Sequence, residues 1–539
     1  MRIRNALSAL LILGLAGFRA DAQNLLTAQE WRSDLQYLAA QILKVHPGAF
    51  HQLTEPEFRS AVADLDSRIP RLSDTEVEVE LIRLVAALGE GHSRISLPGL
   101  PDAMSDVADI TPFKDPRLTF HRLPLELYWF ADGLYVVAAT AKWQSLVGSK
   151  VVDIGGHNAE SLQQALRPLI NRDNDMGAKL IAPQLMVVPE VLYGLHLIAD
   201  PSRVRVVVQP AAGKAVSMDL PPLAAGEQPR WHRPLQAQRP AYLRRTDENL
   251  WAEYLQESRL GYVRINVLQD SRAESVTAFA REVGELLQSH PQERFVVDFR
   301  GCRGGDNQKF RALLLGFIRS ASLDRLGDFF VIMDRATFSA AVNAVSDLER
   351  LTNVILVGEP TAGAPGSWGD AHRIVLPNSG LIARISTIYW SDWEPNASRP
   401  WIGPDISTEL TSGDYFAGHD PSLQAVIEFS RDGGFENVLA SLVRLGAGIG
   451  TIERLYYQRK TDPRWASEST EQAMQHIGVQ LLGMKSYRDA LIVFAINHQD
   501  YPDSVVTALQ AVQAAQAASP RDAGLDDLAR SLRQLQVRQ

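Results

Sequence analysis

The sequence contains a single cysteine, Cys302, among its 539 residues. A single chain can therefore form no internal disulfide, and a Cys/His zinc site is not available. No His-Glu-x-x-His motif, Walker motif or complete dinucleotide-binding glycine motif is present, so we expect neither a metal ion nor another cofactor. The apolar run near the N-terminus is shorter than the ~20 residues of a membrane-spanning helix, and no later run is long enough.

An excess of basic residues is also lacking. Lys and Arg number 54 against 63 Asp and Glu, which gives a formal net charge of −9. This balance shows no excess of positive charge of the kind that nucleic-acid binding requires, so we expect no nucleic-acid partner. Hydrophobic residues make up 45% and charged residues 22%, as is typical of folded globular proteins. The length exceeds what one core organises, and we expect two to four domains.

Residues 1–22 have the three parts of a secretory signal peptide. These parts are the basic residues Arg2 and Arg4, the apolar run 6–16, and the small residues Ala20 and Ala22. The alternative is a membrane anchor, which the short apolar run disfavours. We expect cleavage after Ala22 and a bacterial periplasmic or secreted protein, because the new N-terminal residue, Gln23, cannot carry a lipid and nothing further would insert into a membrane.

The next two regions differ in the pattern of their hydrophobic residues. Residues 23–118 follow helical spacing up to about residue 98, with a capping box at Ser73 and Glu76 and a helix-ending Gly89. Residues 119–235 show short β-like runs separated by Gly and Pro turns, which predicts a small β-rich module with one or two helices.

Residues 236–430 alternate strand and helix patterns. The strand runs are 295–299, 329–333 and 354–357, and the helical runs are 307–318 and 339–351. This alternation predicts βαβ crossovers and a largely parallel sheet.

Residues 431–539 form a helical tail with candidate helices at 473–482, 490–497 and 504–518. One pair resembles a degenerate tetratricopeptide-type repeat, although such arrays need about three copies. A tail that packs on the preceding domain is an equally good interpretation.

Ser339 follows a buried strand and opens a helix. The first N–H groups of a helix point outward there, so a serine at this place can act as a nucleophile with oxyanion donors beside it. The alternative is that Thr337 or Ser339 only caps the helix, and spacing alone favours the cap.

Two further features lie in loops. Gly304 and Gly305 come soon after a strand, where the missing Cβ lets backbone N–H groups approach an oxyanion, although an ordinary turn is the default interpretation. His92 follows the end of a helix, and a lone histidine is more often structural than catalytic.

Taken in order, six motifs resemble those of the C-terminal-processing and tricorn-type serine peptidase family. They are Gly91-His92-Ser93, the segment 261–265, Asp298-Phe-Arg-Gly with Gly304-Gly305, the segment 337–341, the segment 357–363, and Pro404-Asp405-Ile406. The resemblance covers residues 30–430. It implies a multidomain α/β protein with a helical N-terminal region, a PDZ-like module and a crotonase-like (ClpP/crotonase-type) spiral core.

The resemblance also implies roles for individual residues. Ser339 matches the nucleophile, and His92 matches the general base of the tricorn-like branch. The N–H of Ala340 and that of Gly304 or Gly305 match the oxyanion hole.

Two positions separate the branches of this family. The processing branch has a lysine in the segment that reads 363–366 here, which contains none, so the resemblance points to the His-dependent branch. In tricorn-like enzymes a glutamate lies a few residues before the Pro-Asp motif. The corresponding position here falls near Ser398, and Glu394 and Asp392 are the nearby substitutes for this third member.

The predicted function is that of an exported serine peptidase that cleaves peptides or unfolded protein segments through an acyl-enzyme on Ser339. Two alternatives stay open. The same core could serve a non-catalytic ligand-binding protein, or a scaffold whose helical tail recruits a partner protein.

Overall fold

The computed structural model describes residues 25–102, 111–112, 114–115, 117–234, 239–393, 399–430, 434–461 and 469–537. The expected signal peptide, residues 1–22, lies outside them, as does Glu394. In these ranges no helix is both long and apolar enough to cross a membrane. The same ranges contain no group of three or more His, Cys, Asp or Glu side chains that could hold a metal ion.

Three helices form the N-terminal region, and each begins at a capping box. They are α1 (Ala28–Val45), α2 (Glu55–Arg68) and α3 (Asp74–Ala86). The predicted capping box of α3 is confirmed, since the Ser73 hydroxyl accepts the Glu76 N–H and the Glu76 carboxylate accepts the Ser73 N–H. Gly89 follows with a φ of 76°, a left-handed conformation that favours glycine, and the chain leaves the helix there.

A strand follows where helix was expected. Residues Arg94–Ser96 form β1, so the prediction of helices up to residue 98 is wrong at this point. The strand β1 pairs antiparallel with β14 (Ile382–Ile385), which in turn pairs with β13 (His372–Val375). This partner lies almost 300 residues away in sequence, so no local pattern could predict the strand.

The β-rich module contains a five-stranded antiparallel sheet in sequential order. Its strands are β2 (Leu125–Phe130), β3 (Gly133–Ala139), β4 (Lys150–Ile154), β5 (Val204–Gln209) and β6 (Val216–Leu220). Three helices separate β4 from β5, namely α4 (Ala159–Leu166), α5 (Asp175–Leu185) and α6 (Pro189–Gly194). The module and the N-terminal helices bury their apolar side chains in one shared core.

The central sheet has six strands in the order β16-β11-β10-β9-β8-β7, and all neighbours are parallel except β7 and β8. The strands are β7 (Leu250–Leu255), β8 (Leu260–Ile265), β9 (Arg294–Asp298), β10 (Phe329–Met333), β11 (Ile355–Gly358) and β16 (Ile406–Ser407). The helices α7 (Val276–Ser289), α8 (Arg311–Arg319) and α9 (Ala340–Leu351) connect them. The predicted parallel α/β region is confirmed.

Both faces of this sheet are covered, which explains the continuous apolar runs in its strands. In β10, Phe330 and Ile332 pack into one core, whereas Phe329, Val331 and Met333 pack into another. The strands β12 (Ser367–Gly369) and β15 (Ile388–Trp390), which flank β13 and β14 in sequence, form a separate two-stranded antiparallel sheet.

The C-terminal region is helical. Its helices are α10 (Ser412–Ala417), α11 (Pro421–Glu428), α12 (Phe435–Arg444), α13 (Ile449–Thr461), α14 (Glu471–Gly483), α15 (Tyr487–Asp500), α16 (Ser504–Ala518) and α17 (Ala523–Val537). Apolar residues of the tail, such as Leu439 and Met474, share one core with Phe330 of the central sheet. The tail therefore packs on the α/β region.

Candidate active site

The candidate nucleophile lies on a tight turn between β10 and α9. The Thr337 N–H donates to the Asp334 carbonyl (2.9 Å), and the Phe338 N–H donates to the Cys302 carbonyl (3.1 Å). The chain thus reverses at the carboxyl end of a central parallel strand, where the loops of such sheets meet. Ser339 stands at the end of this turn, directly before the first residue of α9.

Ser339 has an unusual backbone conformation, with φ 55° and ψ −128°. A residue with a side chain in this region costs about 1–3 kcal/mol, and such strain is concentrated at functional sites. Its side chain makes no capping hydrogen bond to α9. The Thr337 hydroxyl instead binds the Asp334 N–H and the Phe299 carbonyl. The cap that spacing alone favours is therefore wrong, because an N-cap residue needs extended backbone angles.

His92 lies against Ser339. Its Nε2 is 3.0 Å from the Ser339 Oγ, although the two residues are 247 positions apart. The imidazole stacks on the Phe338 ring, with centroids 4.5 Å apart and planes at 28°. The residue that precedes the serine thus supports the ring of the histidine.

The loop that carries His92 is held tightly. A Cβ on Gly91 would lie 2.6 Å from the Phe338 ring, so only glycine fits between the two loops. The His92 carbonyl accepts a hydrogen bond from Arg94 (3.1 Å), and Arg94 in turn forms an ion pair with Asp102. Pairing of β1 with β14 then fixes the chain just beyond the histidine.

Burial lowers the pKa of His92 from 6.5 to about 4, and the positive charge of Arg94 acts in the same direction. The carboxylates of Glu90 and Asp370 raise it by a smaller amount. The imidazole is therefore neutral at neutral pH and can accept a proton. Proton acceptance at Nε2 requires the ring hydrogen to be on Nδ1, which is buried and makes no hydrogen bond of normal geometry within the described ranges.

The two predicted oxyanion glycines lie beside the nucleophile turn. A Cβ on Gly304 would be 2.7 Å from the Ser339 Cβ and 3.1 Å from the Ala340 nitrogen. Gly304 and Gly305 have φ values of +124° and +130°, in the range that favours glycine. The structure therefore brings Gly304, Ser339 and Ala340 into direct proximity.

Leu268 fixes the position of this glycine loop. Its N–H donates to the Gly304 carbonyl, and its carbonyl accepts the Asp306 N–H, both at 2.8 Å. In a parallel bridge of this kind, the N–H of the central residue, here Gly305, points away from the partner strand.

Asp334 is a site residue whose role sequence reasoning missed. Its Oδ1 accepts the Gly301 N–H (3.0 Å) and the Ala336 N–H (2.9 Å). One carboxylate thus ties the loop that contains the glycines to the turn that contains the serine. No local pattern predicts this, since it depends on the parallel neighbours β9 and β10.

The acidic third member is not placed by the structure. Glu394 lies outside the described residues. Asp392, the neighbouring substitute, binds the Ser346 hydroxyl (2.9 Å) and forms an ion pair with Arg399 (2.9 Å). These contacts engage both of its carboxylate oxygens and give it no described contact with His92.

This geometry can support acyl transfer. The Ser339 hydroxyl lies within hydrogen-bond distance of a neutral imidazole, and Gly304 and the backbone nitrogen of Ala340 lie beside the same serine. These are the parts needed to deprotonate a serine and to stabilise a tetrahedral oxyanion.

No family model and no curated protein sequence matches the chain. Among solved structures, it is similar to mature CPAF complexed with lactacystin, with a TM-score of 0.51, 12% identity, and coverage of 77% of this chain and 99% of CPAF. A second structure of mature CPAF gives a TM-score of 0.50 at 12% identity, and the match covers 78% of this chain and 99% of CPAF. A photosystem II D1 C-terminal processing protease gives a TM-score of 0.37 at 13% identity, and the match covers 76% of this chain and 99% of that protease.

At this level of identity the likeness to CPAF concerns the fold. It extends over nearly the whole of the CPAF chain and over the larger part of this one. The expected resemblance is confirmed to that extent: this chain is a mixed α/β multidomain protein with helical N- and C-terminal regions and the overall fold of mature CPAF.

Proposed function

We propose that this protein is an exported serine peptidase of the tricorn-like, His-dependent type, which cleaves peptides or unfolded protein segments. The observation that carries the proposal is the 3.0 Å separation of His92 Nε2 and Ser339 Oγ across 247 residues of sequence. The strained conformation of Ser339 adds support, because a capping serine would not need it.

The first chemical step is acylation. His92 Nε2 takes the proton of the Ser339 hydroxyl while Oγ bonds to the carbonyl carbon of the substrate. The oxyanion that forms is stabilised by the N–H of Ala340 and by that of Gly304 or Gly305. The C–N bond then breaks as the imidazolium returns the proton to the leaving amine, which leaves an ester on Ser339.

The second step is deacylation. A water molecule gives its proton to His92 Nε2 and attacks the ester carbonyl, and the same N–H groups stabilise the second oxyanion. The imidazolium then protonates Ser339 Oγ, and the free carboxylic acid product departs. The lowered His92 pKa leaves the imidazole neutral, and so able to accept a proton, at the start of each step at neutral pH.

Glu394 is our candidate for the third member of the catalytic group. Its assignment rests on the family resemblance. The position of His92 Nδ1, which is buried, is consistent with this role, because a carboxylate would stabilise a proton on that atom.

The finer domain assignments belong to the same proposal. We assign residues 119–235 to a PDZ-like module, residues 236–430 to a crotonase-like peptidase core, and residues 431–539 to the tail. Export after cleavage behind Ala22 would place the enzyme in the periplasm or outside the cell. Its substrates would then be peptides or unfolded proteins in that compartment.

A fluorophosphonate probe tests the nucleophile directly. The expected result is covalent labelling of the wild-type protein on the peptide that contains Ser339, and no labelling of Ser339→Ala. Ser441→Ala is the control, because the Ser441 hydroxyl is also hydrogen-bonded but lies in the tail helix α12. Absence of labelling in a folded wild-type protein would contradict the proposal.

A cavity offers a site for the alternative function, that of a non-catalytic ligand-binding protein. It has a volume of about 250 Å³ and lies between the β-rich module and the central sheet, lined in part by Tyr128, Phe130, Tyr242 and Asp334. A binding protein would take up a small ligand there and would react with no fluorophosphonate. The two functions therefore give opposite results in the labelling experiment.

A further inference from the structure

The β-rich module contributes a short segment to the candidate active site. This segment, residues 171–174, lies immediately before α5 and reads Asn-Arg-Asp-Asn. It belongs to neither the region that carries His92 nor the region that carries Ser339. Three of its four side chains nevertheless reach loops that belong to those two regions.

Gly91, the neighbour of His92, is held on both sides by this segment. The Asp173 Oδ1 accepts the Gly91 N–H at 2.7 Å. The Asn171 Nδ2 donates to the Gly91 carbonyl, also at 2.7 Å. Both peptide groups of Gly91 are therefore bound, and the second of them includes the nitrogen of His92.

The same segment also holds the loop behind the nucleophile. The Asp173 Oδ2 accepts the Ala364 N–H at 3.1 Å. A Cβ on Gly363, the preceding residue, would lie 3.5 Å from the Ser339 nitrogen and 3.2 Å from the Phe338 ring. A single carboxylate thus connects the base loop to the loop that supports the serine.

Asn174 extends this connection. Its Nδ2 donates to the Thr361 carbonyl (3.1 Å) and to the Pro400 carbonyl (2.7 Å), while its Oδ1 caps α5. The segment is therefore anchored to its own helix at one end and to the active-site loops at the other.

The chemistry at Asp173 requires a carboxylate. Both oxygens accept backbone N–H groups, and such charge-assisted bonds are stronger than neutral ones. An asparagine would turn its NH₂ group toward one of the two N–H donors and lose that bond. Burial raises the pKa of Asp173 to about 6, and the two backbone hydrogen bonds oppose this change.

We propose that Asn171 and Asp173 are positioning residues for peptide hydrolysis, supplied by the β-rich module to hold His92 and Ser339 in register. This inference rests on the proposed function. The residues touch no reacting atom, and they act through Gly91 and through the 361–364 loop. A displacement of about 1 Å in such a pair can reduce turnover on the order of 10²-fold.

The first experiment compares Asp173→Ala, Asn171→Ala and a matched control, Asn158→Ala. Asn158 lies in the same module and caps α4 through its bond to the Ser161 N–H, but has no described contact with the active-site loops. We expect Asp173→Ala to lower kcat and the rate of fluorophosphonate labelling together, on the order of 10²-fold, with KM nearly unchanged. Asn171→Ala should show a smaller loss of the same kind, and Asn158→Ala none.

A merely structural role would give another pattern. It predicts that all three variants lose thermal stability and that the rates for the folded fraction stay at the wild-type value. Wild-type labelling by folded Asp173→Ala would overturn the proposal. If Asp173→Ala fails to fold, the labelling rate of Asn171→Ala decides the question, because this variant removes a single hydrogen bond.

A crystal structure of Asp173→Ala tests the inference without any activity. We expect the distance from His92 Nε2 to Ser339 Oγ to increase beyond hydrogen-bond range. In a parallel hydrogen-exchange measurement, the Gly91 and Ala364 amide hydrogens should exchange faster than in the wild type. An unchanged distance and unchanged exchange would contradict the positioning role. This result is independent of whether the wild-type protein reacts with the probe, which tests the proposed function instead.

Discussion

His46 and Glu90 form a buried hydrogen bond, and Glu90 lies two residues before the candidate base His92. The His46 Nε2 lies 3.1 Å from the Glu90 carboxylate, and the two side chains are 0% and 2% exposed. The His46 Nδ1 accepts the Gly48 N–H at 3.0 Å, so Nε2 carries the hydrogen that Glu90 accepts. Burial alone would raise the pKa of Glu90, but the bonds from His46, Ser386 and Ser93 lower it below its ordinary value.

This ionised carboxylate should raise the basicity of His92, against the larger opposing effect of burial. The negative charge of Glu90 raises the His92 pKa, so Glu90→Gln should lower it further. The acidic limb of the pH profile of kcat/KM, which reports the free enzyme, should then move to lower pH. Glu78→Gln is the control, because Glu78 is buried with a pKa raised to about 8 and carries no charge over that limb. A limb that stays in place or moves upward would disprove the electrostatic role.

The pKa of His92 also predicts a pH dependence of stability. Between about pH 4 and 6.5 the unfolded chain binds a proton on His92 that the folded protein does not, so stability rises with pH across this window. The slope due to this group is at most about 1.4 kcal/mol per pH unit. Denaturant unfolding of wild type and His92→Gln at several pH values should show a difference that grows toward neutral pH.

In that comparison, the contributions of other titrating groups such as Asp173 and Glu78 cancel, because both proteins contain them. A difference in unfolding free energy that is constant from pH 4 to 7 would show that the histidine pKa is not depressed in the folded protein.

Much of the fold follows from local sequence. The strand 329–333 and the helix that starts after Ser339 were predictable because a buried run and a helical period each act over a few residues. The pairing of β1 with β14 and the contacts of Asp173 depend on residues that meet only in the folded chain. The strained Ser339 was missed for a related reason, since its backbone angles are set by the neighbouring loops and not by its own helix.

Gly304 should not tolerate a side chain. A Cβ there would come within 2.7 Å of the Ser339 Cβ, and φ is +124°. Gly304→Ala should therefore displace an oxyanion donor and lower kcat on the order of 10²–10³-fold. Gly284→Ala is the control, because a Cβ on this residue of α7 meets nothing within 4 Å, and alanine is the better helix former. Equal activity of the two variants would argue against the assigned oxyanion loop.

The secretory signal gives a prediction of its own. Expression in a bacterium with an intact export pathway should yield a mature protein that begins at Gln23, since the small residues before it form the cleavage site. N-terminal sequencing of the protein from the periplasmic or culture fraction decides this. A product that keeps Arg4 and sediments with membranes would contradict export as a free protein.

The central claim is that His92 and Ser339 act as one catalytic unit, and a double-mutant comparison tests it most directly. Casein digestion is measured for Ser339→Ala, His92→Ala and the double variant, with thermal unfolding as the check of folding. We expect each single change to lower turnover on the order of 10⁴–10⁶-fold and the double variant to lose little more, because a nucleophile without its base is nearly inactive. Additive losses in the double variant, or full activity of folded Ser339→Ala, would contradict the account.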